Sequence, residues 1–174
     1  GLDIITNQKF VDGQGNAIIT NNSAPGTNPL EMAFSEAVSN KCNSRVSLDD
    51  VGHEFTHGVG YHEAGWLPSS SFPSSSEAFA IMEGSCDIFG ELVENDVVGW
   101  VDWRFDAEAI IDNAYFRTFS PPVVDGFSAL GYGDANWNNN SDGHYRGGVL
   151  RYWFYLISVG GNGINHLGNN FCID

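Results

Sequence analysis

The sequence predicts an α+β fold in which two long helices follow a small N-terminal β region. Three observations predict it. Short apolar segments flank a turn near the start of the 174-residue chain. Helical periodicity runs through VSLDDVGHEFTHGVGY. It returns, more strongly, in SEAFAIMEGSCDIFGELVE. The chain thus divides into a β-hairpin and connecting segment over residues 1–47 and a helical region over 48–174, or forms one compact domain overall.

In order along the chain, LDIITNQKFV and AIIT flank DGQGN, whose Asp12-Gly13 and Gly15-Asn16 pairs suit a hairpin turn. NNSAPGTNP reads as a loop and LEMAFSEAVSNK as a short helix. The first long helix opens with Ser47 and Asp50 at capping-box spacing. GWLPSSSFPSSS, rich in Ser and Pro, is a loop. The second long helix opens with Ser74 and Glu77 at the same spacing, and Ala78, Ile81, Met82, Ile88, Phe89 and Leu92 supply its apolar faces. Residues 95–147, rich in Gly, Asn and Asp, read as loops with short helical pieces. GGVLRYWFYLISVGG reads as a last buried helix ended by Gly160-Gly161.

Composition narrows the function classes. The net charge is −15, from 22 acidic against 7 basic residues. Such a surface repels phosphate backbones and anionic lipid, so nucleic acid and membranes are not expected partners. It suits solubility and calcium. No apolar run approaches the ~20 residues of a membrane helix. A chain that begins at Gly1 is the start expected of a processed product or an excised piece. The three cysteines match no zinc knuckle or redox motif. Cys86 falls mid-helix, as a small buried hydrophobe would; Cys42 and Cys172 are free to pair or not.

The chemistry concentrates in His53-Glu54-Phe55-Thr56-His57, an H-E-x-x-H motif. Positions i and i+4 share a helix face, so two imidazoles can grip one zinc ion. Glu54 can then reach a bound water rather than the metal. A third ligand is needed. Glu83 stands 26 residues after His57 on the next helix, with Asp87 one turn further on the same face. Both acids lie in the apolar stretch IMEGSCDIFG, where bare charges are costly. His62 and Glu63 are rival ligands, since Gly60 and Glu63 fall at the last positions of the metzincin pattern H-E-x-x-H-x-x-G-x-x-H. His62 as a fourth ligand would instead close the site into a non-catalytic, zinc-stabilised domain.

At this point the residues resemble the thermolysin family of neutral metallopeptidases. HEFTHGV is similar to that family's HELTHAV, and Glu77 to Gly90 matches its ESGAxxEAxSDIFG without a gap. Weaker similarity extends over residues 48 to 163. The resemblance implies a zincin-type (gluzincin) fold with two zinc-bearing helices. It implies a secreted, extracellular endopeptidase acting on peptides or proteins. Zinc would be held by His53, His57 and Glu83, with Asp87 behind a ligand histidine and Glu54 as general base. His144, in Asp142-Gly143-His144, matches the histidine that stabilises the transition state. The carboxylate that orients that histidine falls on Asn139, with Asp142 close by. Arg117 matches an arginine that contacts the substrate backbone. Phe116 and Asp50 match the leucine and valine around the pocket for the residue after the cleaved bond. An acid at 50 would favour Lys or Arg there unless it only caps its helix. Asp49, Glu94 and Asp102 match calcium ligands; Arg104 intrudes on the next, for which Asp106 or Glu108 could substitute. The stretch from His57 to Glu83 is six residues longer than the family's usual spacing of 20, and the family's oxyanion tyrosine has no counterpart among Ser69 to Ser76.

Overall fold

The computed structural model describes residues 3–5, 18–20, 31–33, 47–66, 71–108, 117–120 and 125–174. Three short strands come first: β1 (Asp3–Ile5), β2 (Ile18–Thr20) and β3 (Glu31–Ala33). They form one sheet in which β3 lies in the middle, parallel to β1 and antiparallel to β2. Two expectations change here. β1 and β2 are not hairpin partners, because Glu31–Ala33 inserts between them and satisfies an edge of each. The start of LEMAFSEAVSNK is therefore strand rather than helix. The DGQGN turn and Cys42 lie outside the described residues.

Helix α1 (Leu48–Glu63) follows an extended Ser47, and the Val51 N–H closes the first turn on the Ser47 carbonyl. The Ser47 hydroxyl makes no capping bond; it donates instead to Asp106 Oδ1 at 3.0 Å. Helix α2 (Glu77–Val98) starts two residues later than the Ser74 capping box suggested. Ser76 is its N-cap and accepts the Phe79 N–H. α2 also runs four residues beyond Glu94, to a left-handed Gly99 whose φ of 82° suits a C-terminal glycine stop.

α1 and α2 pack on glycine. A Cβ on Gly52 would lie 2.9 Å from the Gly90 Cα, and one on Gly90 would run into the Asp49 carbonyl. This close crossing sets His53 against the face of α2 that carries Glu83 and Asp87. Short strands β4 (Arg104–Phe105) and β5 (Arg117–Thr118) pair antiparallel beside it. α3 (Ala135–Asn139), α4 (Gly143–Arg146) and α5 (Gly148–Val159) follow. Gly147, between α4 and α5, abuts Gly84 of α2 and brings α4 to the same site.

The last helix is less buried than its apolar sequence suggested. Of its residues only Gly148 and Arg151 are buried, and Trp153, Ile157 and Val159 are exposed. A closing hairpin, β6 (Gly161–Ile164) with β7 (Asn170–Ile173), was not anticipated. The fold is α+β with helices dominant, as the sequence predicted. Among the described residues no helix is long and apolar enough to cross a membrane.

The core is mixed. Phe79, Met82, Cys86, Phe105 and Phe119 are buried beside Asp49, Glu83, Asp87, Glu91, Glu94, Arg117 and Arg151. Buried charges cost stability unless paired, so the polar half of this core marks where the chemistry is held.

Candidate metal centre

One turn of α1 separates His53 from His57, and their Nε2 atoms lie 3.1 Å apart. From α2, Glu83 places Oε2 3.2 Å from His53 Nε2 and Oε1 3.6 Å from His57 Nε2. Ligand bonds of about 2.0–2.1 Å put neighbouring ligand atoms roughly 3.3 Å apart around a tetrahedral zinc. The spacing of this trio fits that geometry. The donor set, two imidazole nitrogens and a carboxylate, also suits zinc with an open position.

The other nitrogen of His53 fixes the ring. Nδ1 donates to Asp87 Oδ1 at 2.8 Å, which turns Nε2 towards Glu83 and His57. Burial works against a cation at His53. Hydrogen bonds to Asp87 and Glu83 outweigh it and lift the pKa to about 10. Burial likewise opposes the Glu83 carboxylate, but His144, His53 and His57 hold its pKa well below the usual range. The same carboxylate charge favours a metal cation, which competes with the proton for the imidazole nitrogens.

Asp87 is itself saturated. Arg117 donates to it from Nε at 2.9 Å and Nη2 at 2.6 Å, and Arg151 from Nη1 at 2.6 Å. Burial would raise the Asp87 pKa; the two guanidiniums bring it far below the ordinary carboxylate range. Arg117 also lies 4.2 Å over the Phe105 ring. It is therefore a buried clamp rather than a loose loop cation. Arg151 belongs to no sequence motif and was missed; a lone Arg in VLRYWFYL was its only signal.

His144 enters from α4, with Nε2 3.2 Å from Glu83 Oε2. Asp142 caps this short helix by accepting the His144 N–H, and the same Oδ1 accepts His144 Nδ1–H at 2.7 Å. Asp142 is thus the orienting carboxylate, and Asn139 stays out on α3. Burial disfavours the His144 cation, yet Asp142 and Glu83 raise its pKa to about 9. Glu54 is half-buried on α1 next to His53. His62 and Glu63 are exposed at the end of α1, while Glu83 is the acid that meets both imidazoles. Cys86, expected only as core, has its thiol within 4.8 Å of a nitrogen of His53 and of His57. Burial, then Glu83 and Asp87, push its pKa up. Asp50 is buried in the first turn of α1; Phe116 lies outside the described residues.

A second acidic group lies beyond the helix crossing. Carboxylate oxygens of Glu91, Glu94 and Asp102 all fall within 4.8 Å of one another. Glu91 and Glu94 are buried, and Oε2 of each lacks a hydrogen-bond partner among the described residues. Burial, reinforced by neighbouring acids, lifts the pKa of both to about 8. Asp49 adds its charge from α1, where it accepts the N–H groups of Asp50 and Asp106. The Trp103 N–H donates to Glu91 Oε1 at 3.0 Å. Trp103 and Asp106 both take positive φ, 63° and 67°, in the turn that wraps this group. Glu91 was missed, although an acid three residues before Glu94 shares its helix face. Crowded, buried carboxylate oxygens are the donor set of a hard cation.

No protein-family model matches the chain. Thermolysin from Alicyclobacillus acidocaldarius subsp. acidocaldarius is 30% identical over 125 residues, which cover 66% of this chain and 20% of that protein. Thermolysin from Bacillus caldolyticus matches to the same extent. Among solved structures, the precursor of protealysin, a metalloproteinase from Serratia proteamaculans, superposes with a TM-score of 0.56 at 23% identity. That superposition covers 74% of this chain and 44% of the precursor. The chain is thus similar in sequence to the thermolysins and shares its fold with the protealysin precursor. It spans about a fifth of the length of the thermolysins it matches. The lengthened segment falls between α1 and α2, where residues 67–70 lie outside the described set. Asp142 both meets His144 Nδ1 and caps α4, while Asn139 stands on α3.

Proposed function

We propose that this protein is an extracellular zinc endopeptidase. The observation that carries the reading is the convergence of His53 Nε2, His57 Nε2 and Glu83 at 3.1–3.6 Å, with His53 pinned from behind by Asp87. Zinc held by these three would supply a Lewis acid and a water of lowered pKa. Glu54, the neighbour of His53, takes the proton from the attacking water and passes it to the leaving amine. His144, cationic at neutral pH, presents Nε2–H to the carbonyl oxygen as charge develops there. Arg117 keeps the Asp87 carboxylate in place, and the family resemblance would have it contact the substrate backbone. Glu91, Glu94 and Asp102, with Asp49, would hold a calcium ion, which would supply a tie between the 102–106 turn and α2. Peptides or proteins are the substrates. The net charge of −15 argues against nucleic acid and anionic membrane as partners.

The test pairs metal analysis with hydrolysis of a denatured protein substrate, with and without chelator. Stoichiometric zinc, chelator-sensitive cleavage, and a Glu54→Gln variant that keeps zinc and loses turnover are expected. Full turnover in Glu54→Gln would overturn the mechanism.

A second reading, a closed and non-catalytic zinc site, is favoured by the place of Cys86 beside both histidines. X-ray absorption at the zinc edge separates the two. Sulfur in the ligand shell supports the closed site, and an all-nitrogen and oxygen shell supports the peptidase.

A further inference from the structure

We propose that Arg151 is a positioning residue of the zinc site, joining the carboxylate that orients His53 to the helix that carries His144. The inference rests on the zinc reading above.

Arg151 is fully buried. One nitrogen, Nη1, donates both to Asp87 Oδ2 at 2.6 Å and to the His144 carbonyl at 2.8 Å. Nη2 donates to Ser128 Oγ at 2.8 Å. Ser128 in turn donates to Asp125, which also accepts the Ser128 N–H. Asp87 does not need a second cation for charge, because Arg117 already meets it with two bonds. Burying a further guanidinium is costly unless its donors are used. Here the surplus donors go to other elements. Arg117 ties Asp87 to β5; Arg151 also reaches β5, from Nε to the Thr118 carbonyl at 3.4 Å, and adds ties to α4 and to the 125–128 turn. The same guanidinium therefore sets where His53 points and where the His144 backbone sits. Both act on one Glu83, which lies 3.2 Å from each imidazole.

The geometry depends on the planar fork. A lysine at 151 would carry the charge but not hold four acceptors in fixed directions. The experiment is Arg151→Lys, with zinc Kd read by chelator competition at a temperature where near-UV circular dichroism shows a folded protein. A loss of ~10–100-fold in zinc affinity is expected, the usual effect of removing a partner behind a metal ligand. In an Asp87→Asn background the same substitution should cost far less, since the route through Asp87 is already broken. A purely structural residue would lower the thermal midpoint and leave zinc Kd in the folded protein unchanged. Zinc Kd within about twofold of wild type, or losses that multiply fully in the double variant, overturn the proposal. If Arg151→Lys does not fold, Ser128→Ala carries the test by removing the acceptor of Nη2. A several-fold loss of zinc affinity supports the proposal, and an unchanged Kd overturns it. Failure of the wild-type protein to bind stoichiometric zinc would sink the zinc reading itself, and is separable from these results.

Discussion

Gly52 and Gly90 meet at the crossing of α1 and α2, where a Cβ on Gly52 would lie 2.9 Å from the Gly90 Cα. This contact lets the two helices approach closely enough for His53 Nδ1 to donate to Asp87 Oδ1 at 2.8 Å. Gly90→Ala would drive its methyl into the Asp49 carbonyl. The expected outcome is a destabilisation of about 1–3 kcal/mol, the usual cost of overpacking, together with weaker zinc binding. Urea denaturation and a zinc titration check both. An alanine variant with wild-type stability and zinc affinity would show that the crossing can open without consequence.

Asp142 sets the ionisation of His144. The folded-state pKa of His144 is raised to about 9, above its ordinary value, because Asp142 and Glu83 outweigh burial. A raised histidine keeps its cation, and the hydrogen bond it donates, until pH climbs through that folded value. Asp142→Asn removes one of the two supporting charges. The alkaline limb of the kcat/KM profile should then move to lower pH, with Asn139→Ala leaving it in place. A limb that moves in Asn139→Ala and not in Asp142→Asn would reverse the assignment.

The acidic group predicts an unusual pH dependence. Glu91 and Glu94 have folded pKa values near 8, raised above about 4.3 for a free glutamate. Between those limits the folded state binds more protons than the unfolded state, so stability falls as pH rises. In chelator the thermal midpoint should therefore drop between about pH 5 and 8. Millimolar calcium should raise it and flatten the dependence, because binding to the folded state alone stabilises by mass action. Glu91→Gln should make the calcium-free protein more stable at pH 8 and blunt the response to calcium. A midpoint indifferent to calcium in both proteins counts against the site.

The two long helices and the convergence of His53, His57 and Glu83 were legible because helical spacing is informative over 16 and 22 residues. His53 and His57 must share a face, and Glu83 and Asp87 must share another. Three-residue strands carry almost no periodicity, so the insertion of Glu31–Ala33 between β1 and β2 could not be read. Arg151 and Glu91 escaped for a related reason. Arg151 is the one charge of an apolar helix and Glu91 one acid among six on α2; in sequence, a side chain that reaches out to water and one locked inside look identical. Only the partners that folding delivers tell them apart: Asp87 and His144 for Arg151, Glu94 and Asp102 for Glu91. The orienting carboxylate of His144 was ambiguous between positions 139 and 142, and the capping geometry of α4 settles it.

If the protein is a peptidase, Asp50 has two possible places relative to its specificity pocket. As an acid in the pocket for the residue after the cleaved bond, it would select Lys or Arg. As an acid in the first turn of α1, it would serve the helix and leave the pocket apolar. Its surroundings favour the second. Ser47 is the N-cap, so Asp50 sits in the first turn, where a carboxylate complements the helix N-terminus. Its relative exposure is 2%, which leaves an incoming ammonium or guanidinium little surface to reach. Its charge is felt instead by Arg117, whose pKa is shifted upward: burial opposes the cation there, but Asp87, Glu83 and then Asp50 outweigh it. The expected outcome is cleavage before Leu, Ile and Phe, unchanged in Asp50→Val. That variant should lose stability, since it removes a buried charge from beside Arg117 and the start of α1. Mapping of cleavage sites on a denatured protein by mass spectrometry decides it. Enrichment of Lys and Arg immediately after the cut, shifting towards Leu and Phe in Asp50→Val, would put the carboxylate in the pocket after all.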